Sequence, residues 1–286
     1  MFARALINTK IVGNLKNESP TLLLVKHLSM QFVSSNVTEE ATSRRIFSNN
    51  KVEFVIDQTD LYKKEKLTDP FIAVQRQQEK VEELKILTQG LNPIEVVYYG
   101  IVHIPLAFLF GFQFKPRMQM HFIDHDRKDN RWKYLSPELD FPPLTVSGLP
   151  AEESEAIGDV IVNLSISYPV WKDDVLTLVP APLAIVDVAL VSPEPDVVKS
   201  TNQLQTYSMI FRKILDEIHR IFPRTSTIHL FYAGPVSLAV RCGELISPTI
   251  DPKIKVYNYS NQDNPKYKWC ICVNTPIDSP DFIVQL

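Results

Sequence analysis

Thr227-Ile-His-Leu-Phe-Tyr-Ala-Gly-Pro-Val-Ser-Leu-Ala-Val-Arg-Cys-Gly243 joins a strand-forming run to a helix-forming one across a tight turn. A dense β-forming run, 227–232, meets the small-residue turn Ala233-Gly234-Pro235, and an apolar helical stretch continues to Ile246. Gly234 permits close backbone approach at the turn, and Pro235 suits the first helical position, where a missing N–H costs nothing. The run has little polar alternation, which points to a strand buried on both faces, as in parallel sheets covered by helices.

Upstream lies 204–222, with Leu204, Tyr207, Phe211, Ile214, Leu215 and Ile218 on one face of a helix that Pro223 ends. Downstream, 254–259 supplies another strand. The same order of elements occurs earlier in the chain: a helical stretch at 71–89, a strand at 95–99, a helix at 105–112 and a strand at 118–123. The echo has a spacing of roughly 130 residues and is in register. Tyr99 meets Phe231, Ile104 meets Val236, Leu106 and Ala107 meet Leu238 and Ala239, and Gly111 meets Gly243. After a short slip Met120 and Phe122 meet Ile254 and Val256, and Asp124 meets Asn258.

Each half opens on its own strand, 52–57 and 184–191, so strand, helix, strand, helix, strand is read twice. The expected fold class is α/β, two pseudo-repeated Rossmann-like halves with mostly parallel sheets. Residues 1–50, with a short helix near 21–32 and the pair Arg44 and Arg45, form an N-terminal extension packed on the first half. The first half is 51–140, a proline-rich linker covers 141–156, and the second half is 157–286. Stretches 157–169 and 174–179 are expected as an extra pair of strands before the second repeat.

Composition removes several function classes. The chain has 286 residues, 45% hydrophobic and 22% charged, a balance that fits a folded globular protein and neither a disordered chain nor a membrane protein. Its 30 basic and 33 acidic residues give a net charge of -3, which disfavours binding to duplex nucleic acid. Only 8 glycines occur and no G-x-G is present, so the phosphate loops of P-loop NTPases and dinucleotide enzymes are absent. The cysteines Cys242, Cys270 and Cys272 are expected in the core. No signal peptide or membrane span is legible, so the expected location is the cytoplasm.

Motifs for chemistry are sparse. In the run His121-Phe-Ile-Asp-His-Asp126 a strand would turn the histidines to one face and the carboxylates to the other, which does not build a metal site. Asp251-Pro-Lys253 has a nuclease-like spacing, but Pro248 and Pro252 favour a loop. No cofactor is expected. The turn at Gly234 and Pro235 does have physical content, because the N-terminus of the following helix presents free N–H groups and a positive dipole end, to which Ser237 adds a hydroxyl as ligand or cap. Ligands of open α/β sheets bind beyond the carboxyl ends of the strands, which adds Gln58, Thr59, Ser192, Tyr259 and Asn261 to the expected pocket. The first-half equivalent of the turn, Gly100-Ile-Val-His103, places His103 there, as a ligand contact or a core histidine. Trp171 and Tyr259 are candidates to stack on bases.

The segment from His229 to Gly243, followed by Ile254-Lys-Val-Tyr-Asn-Tyr259 and 267–273, resembles the C-terminal signature of SAVED domains: a strand ending in a small residue and Pro, a Ser-x-Ala helix closing on Gly, and a strand with aromatic residues near its end. The resemblance implies two fused CARF-like halves that receive a cyclic oligonucleotide in bacterial antiphage defence, in CBASS or type III CRISPR systems. Ligand contacts of that family carry over most securely to Gly234, Pro235 and Ser237. SAVED domains are usually fused to an effector, and this chain has no room for one. The resemblance therefore implies a non-catalytic sensor of a cyclic tri- or tetranucleotide that signals by self-association, filaments included, or through a separate effector protein. The alternatives are an enzyme that degrades the messenger and an adaptor with a vestigial pocket.

Overall fold

The computed structural model describes residues 21–30, 37, 50–91, 94–116, 120–127 and 129–286. In the first half, strands β1 (Thr21–Leu28), β2 (Asn50–Asp57), β5 (Ile94–Ile101), β6 (Met120–Asp126) and β7 (Arg131–Tyr134) form one sheet in the order β2-β1-β5-β6-β7. All pairs are parallel except β6 with β7. A short hairpin, β3 (Tyr62–Lys63) and β4 (Lys66–Leu67), precedes helix α1 (Pro70–Gly90). Asp69 caps α1 by accepting from the Ile72 N–H at 3.0 Å, and Pro70 opens it. Helix α2 (Ile104–Gln113) follows β5.

The second half repeats the plan. Strands β8 (Thr145–Ser147), β9 (Gly158–Ser165), β10 (Ala184–Ala189), β11 (Thr225–Ala233), β12 (Lys253–Tyr259), β13 (Tyr267–Cys272) and β14 (Ile283–Gln285) are ordered β14-β13-β12-β11-β9-β10-β8. Strands β10, β9, β11 and β12 are mutually parallel. A short helix α3 (Lys172–Leu176) follows β9, α4 (Thr201–Ile221) follows β10, and α5 (Val236–Leu245) follows β11. Ser200 caps α4 by accepting from the Gln203 N–H at 3.1 Å.

The two sheets superimpose conceptually as β2-β1-β5-β6-β7 on β10-β9-β11-β12-β13, a doubly wound order in each half. The repeat read from the sequence therefore exists, with one missing member. Strand β1 was expected to be helical within an extension; it lies instead between β2 and β5, with Leu22, Leu23, Val25 and Leu28 fully buried. Its partner in the second half is β9, so the strand at 158–165 is part of the repeat and not an addition to it. The expected strand at 174–179 is a correction of another kind: α3, begun at Lys172, occupies its first residues, with Asp173 and Asp174 in the first turn, where carboxylates suit the positive helix end. Within the expected linker, Thr145–Ser147 pairs antiparallel with β10. Arg44 and Arg45 lie outside the described residues.

The halves meet through α2 and α5. A Cβ on Gly111 would stand 2.0 Å from the Val240 carbonyl oxygen, and one on Gly243 would stand 2.1 Å from that of Phe108. The matched glycines of the repeat thus let the two helix backbones touch. Around this crossing one continuous core joins Val96, Phe108 and Phe110 of the first half to Val162, Leu230 and Val240 of the second. Phe108 packs edge-on against Tyr232, ring centroids 5.4 Å apart.

Candidate functional site

The carboxyl ends of β5 and β11, and the starts of the helices that follow them, line the seam between the halves. The carboxyl ends of β5, β6, β11 and β12 surround a cleft of about 1600 Å³. Of the residues expected from the sequence, His103, Gly234, Pro235, Tyr259 and Asn261 line it. Trp171, 61% exposed, and Tyr259, 49% exposed, stand open on its walls.

At the second-half turn the Tyr232 hydroxyl donates to the Pro235 carbonyl at 2.7 Å, and a Cβ on Gly234 would lie 2.6 Å from that hydroxyl. A side chain at Gly234 would therefore displace the Tyr232 hydroxyl from the Pro235 carbonyl at the start of α5. Ser237 is buried and neither caps α5 nor lines the cleft: its hydroxyl donates to Asp124 at the end of β6, 2.5 Å away. The Ser237 backbone N–H also serves Asp124. The positive end of α5 is thus engaged by a carboxylate of the other half. Burial pushes the Asp124 carboxyl up to about 6, while the two hydrogen bonds from Ser237 pull in the opposite direction.

His103 sits at the first-half switch point, between β5 and α2. Ser29, just after β1, places its hydroxyl 2.8 Å from both the imidazole Nδ1 and the backbone N–H of His103. Burial pushes the imidazole down to about 4, so the ring is neutral at pH 7. The ring packs edge-on with Tyr62 of the hairpin, centroids 5.8 Å apart, and tilted against Trp269 of β13, 6.0 Å apart. This aromatic wall draws on both halves. Beside it Lys66 of the hairpin pairs with Asp263, and the Gln262 side chain donates to Glu65 at 2.7 Å, tying the hairpin to the β12–β13 loop.

Three expected residues stand elsewhere. Gln58 is fully buried and donates to the Ala73 carbonyl at 2.7 Å, Thr59 donates to Asp57 at 2.7 Å, and Ser192 is exposed in the bend after β10; none lines the cleft. They follow β2 and β10, which lie outside the switch points, so the crevice rule reaches only the inner strands. Sequence reasoning missed Tyr62, Arg127, Tyr168, Lys199 and Trp269, which all line the cleft. Arg127 directly follows β6, so the crevice rule could have found it; Trp269 lies within the antiparallel strand β13, where that rule gives no signal. In the His121-to-Asp126 run the side chains diverge: His121 meets Glu95, His125 packs on Trp132, Asp124 turns to Ser237 and Asp126 to Lys133. Asp251 is a structural residue, held by Arg212 through two contacts of 2.6 Å.

Two doubly wound halves that share one cleft at their strand ends define a class of duplicated, Rossmann-like ligand-binding protein. The family model of SAVED, the SMODS-associated and fused to various effectors sensor domain, matches residues 74–273, and the chain belongs to that family. In fold it is similar to the Acinetobacter baumannii Cap4 SAVED/CARF-domain containing receptor with the cyclic trinucleotide 2'3'3'-cAAA, at 13% identity and a TM-score of 0.54, over 93% of this chain and 53% of that one. The same receptor with 3'3'3'-cAAA matches at 14% identity and a TM-score of 0.54, over 84% of this chain and 50% of that one. The chain spans about half the length of these receptors. No curated protein sequence matches it. No helix among the described residues is long and apolar enough to cross a membrane.

Proposed function

We propose that this chain is a non-catalytic sensor that binds a cyclic oligonucleotide, a tri- or tetranucleotide, in the cleft between its halves. The observation that carries the reading is the cleft itself. At about 1600 Å³ it exceeds the roughly 300–1,000 Å³ of ordinary small-molecule pockets, and both halves supply its walls. A duplicated wall suits a ring of repeated nucleotides. His103, Gly234, Pro235, Tyr259 and Asn261 are the proposed contacts, with exposed Trp171 and Tyr259 as stacking faces for bases. The signal passes on by self-association or to a separate effector protein, within antiphage defence in the cytoplasm.

The test is a thermal-shift titration against cyclic di-, tri- and tetranucleotides, since a ligand that binds only the folded state raises Tm as RT ln(1 + [L]/Kd). One member of the panel is expected to raise Tm and to be recovered intact. A panel that leaves Tm unmoved at about 1 mM, well above the Kd of a dedicated receptor, would rule out the sensor reading. A linear product in place of the ring would assign a degrading enzyme instead.

A further inference from the structure

The charges of the cleft are unevenly committed. Its lysines and arginine are Lys66, Arg127, Lys133, Lys199 and Lys268. Lys66 and Lys268 share the carboxylate of Asp263, and Lys133 is held by both Asp126 and Asp129. Arg127 and Lys199 form no ion pair with a carboxylate among the described residues. Both stand at the same end of the cleft. The Arg127 backbone N–H donates to Asp196 at 3.1 Å, three residues before Lys199 in one loop, and the Lys199 carbonyl accepts from the Ser136 N–H at 2.8 Å. The Arg127 guanidinium donates to the Tyr168 hydroxyl at 3.0 Å, so a cation of the first half is hydrogen-bonded to a tyrosine of the second. Tyr168 is 46% exposed. The other position suited to an anion in the second half, the start of α5, is filled by Asp124.

We infer that Arg127 and Lys199 are the phosphodiester-binding end of the cleft and that Tyr168 is the platform on which the adjoining base stacks. The inference rests on the sensor reading and locates the anionic part of the ligand away from the helix end where the sequence alone places it. A guanidinium suits the two non-bridging oxygens of a phosphodiester, and Lys199 adds a point charge from the opposite half. Asp196 accepts the Arg127 backbone N–H and keeps its own negative charge, but Arg127 and Lys199 together outnumber it, so the pair and its neighbour retain a net positive charge.

The test measures binding of Arg127→Gln, Lys199→Gln and, as a control with the same change of charge outside the cleft, Lys253→Gln, each first shown to melt at the wild-type temperature. The probes are the cyclic oligonucleotide that shifts the wild-type melt and, separately, inorganic pyrophosphate. Removing one charge-assisted contact to phosphate is expected to weaken the cyclic ligand by about tenfold or more at Arg127 and at Lys199, with the Lys253 variant within about twofold of wild type. Tyr168→Leu is expected to weaken the cyclic ligand and leave pyrophosphate unchanged. If the cyclic ligand binds and all three charge variants are alike, the inference fails while the sensor reading stands. If no cyclic ligand binds but pyrophosphate stabilises the wild type and neither the Arg127 nor the Lys199 variant, the anion pair stands and the sensor reading fails. If neither probe binds, both are wrong.

Discussion

Asp124 and the buried histidines set opposite slopes of stability against pH. Burial pushes His27 down to about 3 and His103 to about 4, below the ordinary 6.5, so both contribute stability that is complete above pH 6.5 and lost as pH falls toward those values. Asp124, raised from 3.8 to about 6, contributes stability that is present below 3.8 and lost as pH rises through 6, so it partly offsets the histidines on acidification. Tm is expected to fall between about pH 7 and about pH 4.5, and to fall more steeply in Asp124→Asn. A variant with the wild-type slope would show that Asp124 does not take up a proton in the folded state. The cysteines give a second expectation at this scale. Burial raises all three thiols, Cys270 to about 12, so thiol reagents should label none of them until the chain unfolds. Rapid labelling of the native protein would contradict that packing. The turn at Gly234 and Pro235 was legible because small residues and proline carry their backbone requirements with them. The Ser237 contact was not, since its partner Asp124 lies far off in sequence and belongs to the other half.

At the scale of elements, the crossing of α2 and α5 depends on two glycines, each against a carbonyl oxygen of the other helix. Gly111→Ala and Gly243→Ala should each force the helices apart and cost about 1–3 kcal/mol, the ordinary range for overpacking, read as a lowered midpoint in denaturant unfolding. Variants within about 0.5 kcal/mol of wild type would mean that the crossing is looser than described. Helix α4 was legible because a one-sided apolar stripe and Pro223 agreed, and strands β5 and β11 because each is a dense apolar run leading into a small-residue turn. Strand β1 was not. A run of leucines is a good helix former, and burial on both faces removes the alternation that marks a strand. Only its neighbours in the sheet decide between the two.

Across the whole molecule, one core runs through both halves, so neither is expected to fold without the other. Breaking the ion pair of Asp251, which has a side-chain exposure of 0%, by Asp251→Ala should cost about 3–5 kcal/mol and lower the melting of the entire chain rather than of one half. Two separate transitions would contradict the shared core. The duplication was readable from one sequence, but the cleft it builds was only half readable: strand ends can be guessed from periodicity, whereas Tyr62, Trp269 and Lys199 reach the cleft through a hairpin, an antiparallel strand and a loop whose positions depend on the assembled fold.

On the proposed reading, the seam between the halves holds the ligand. Hydrogen exchange, compared with and without the cyclic oligonucleotide that stabilises the chain, tests it most directly. Slowed exchange at the ends of both β5 and β6 in the first half and of both β11 and β12 in the second is the predicted result; protection confined to one half, or lying outside the cleft, would contradict it.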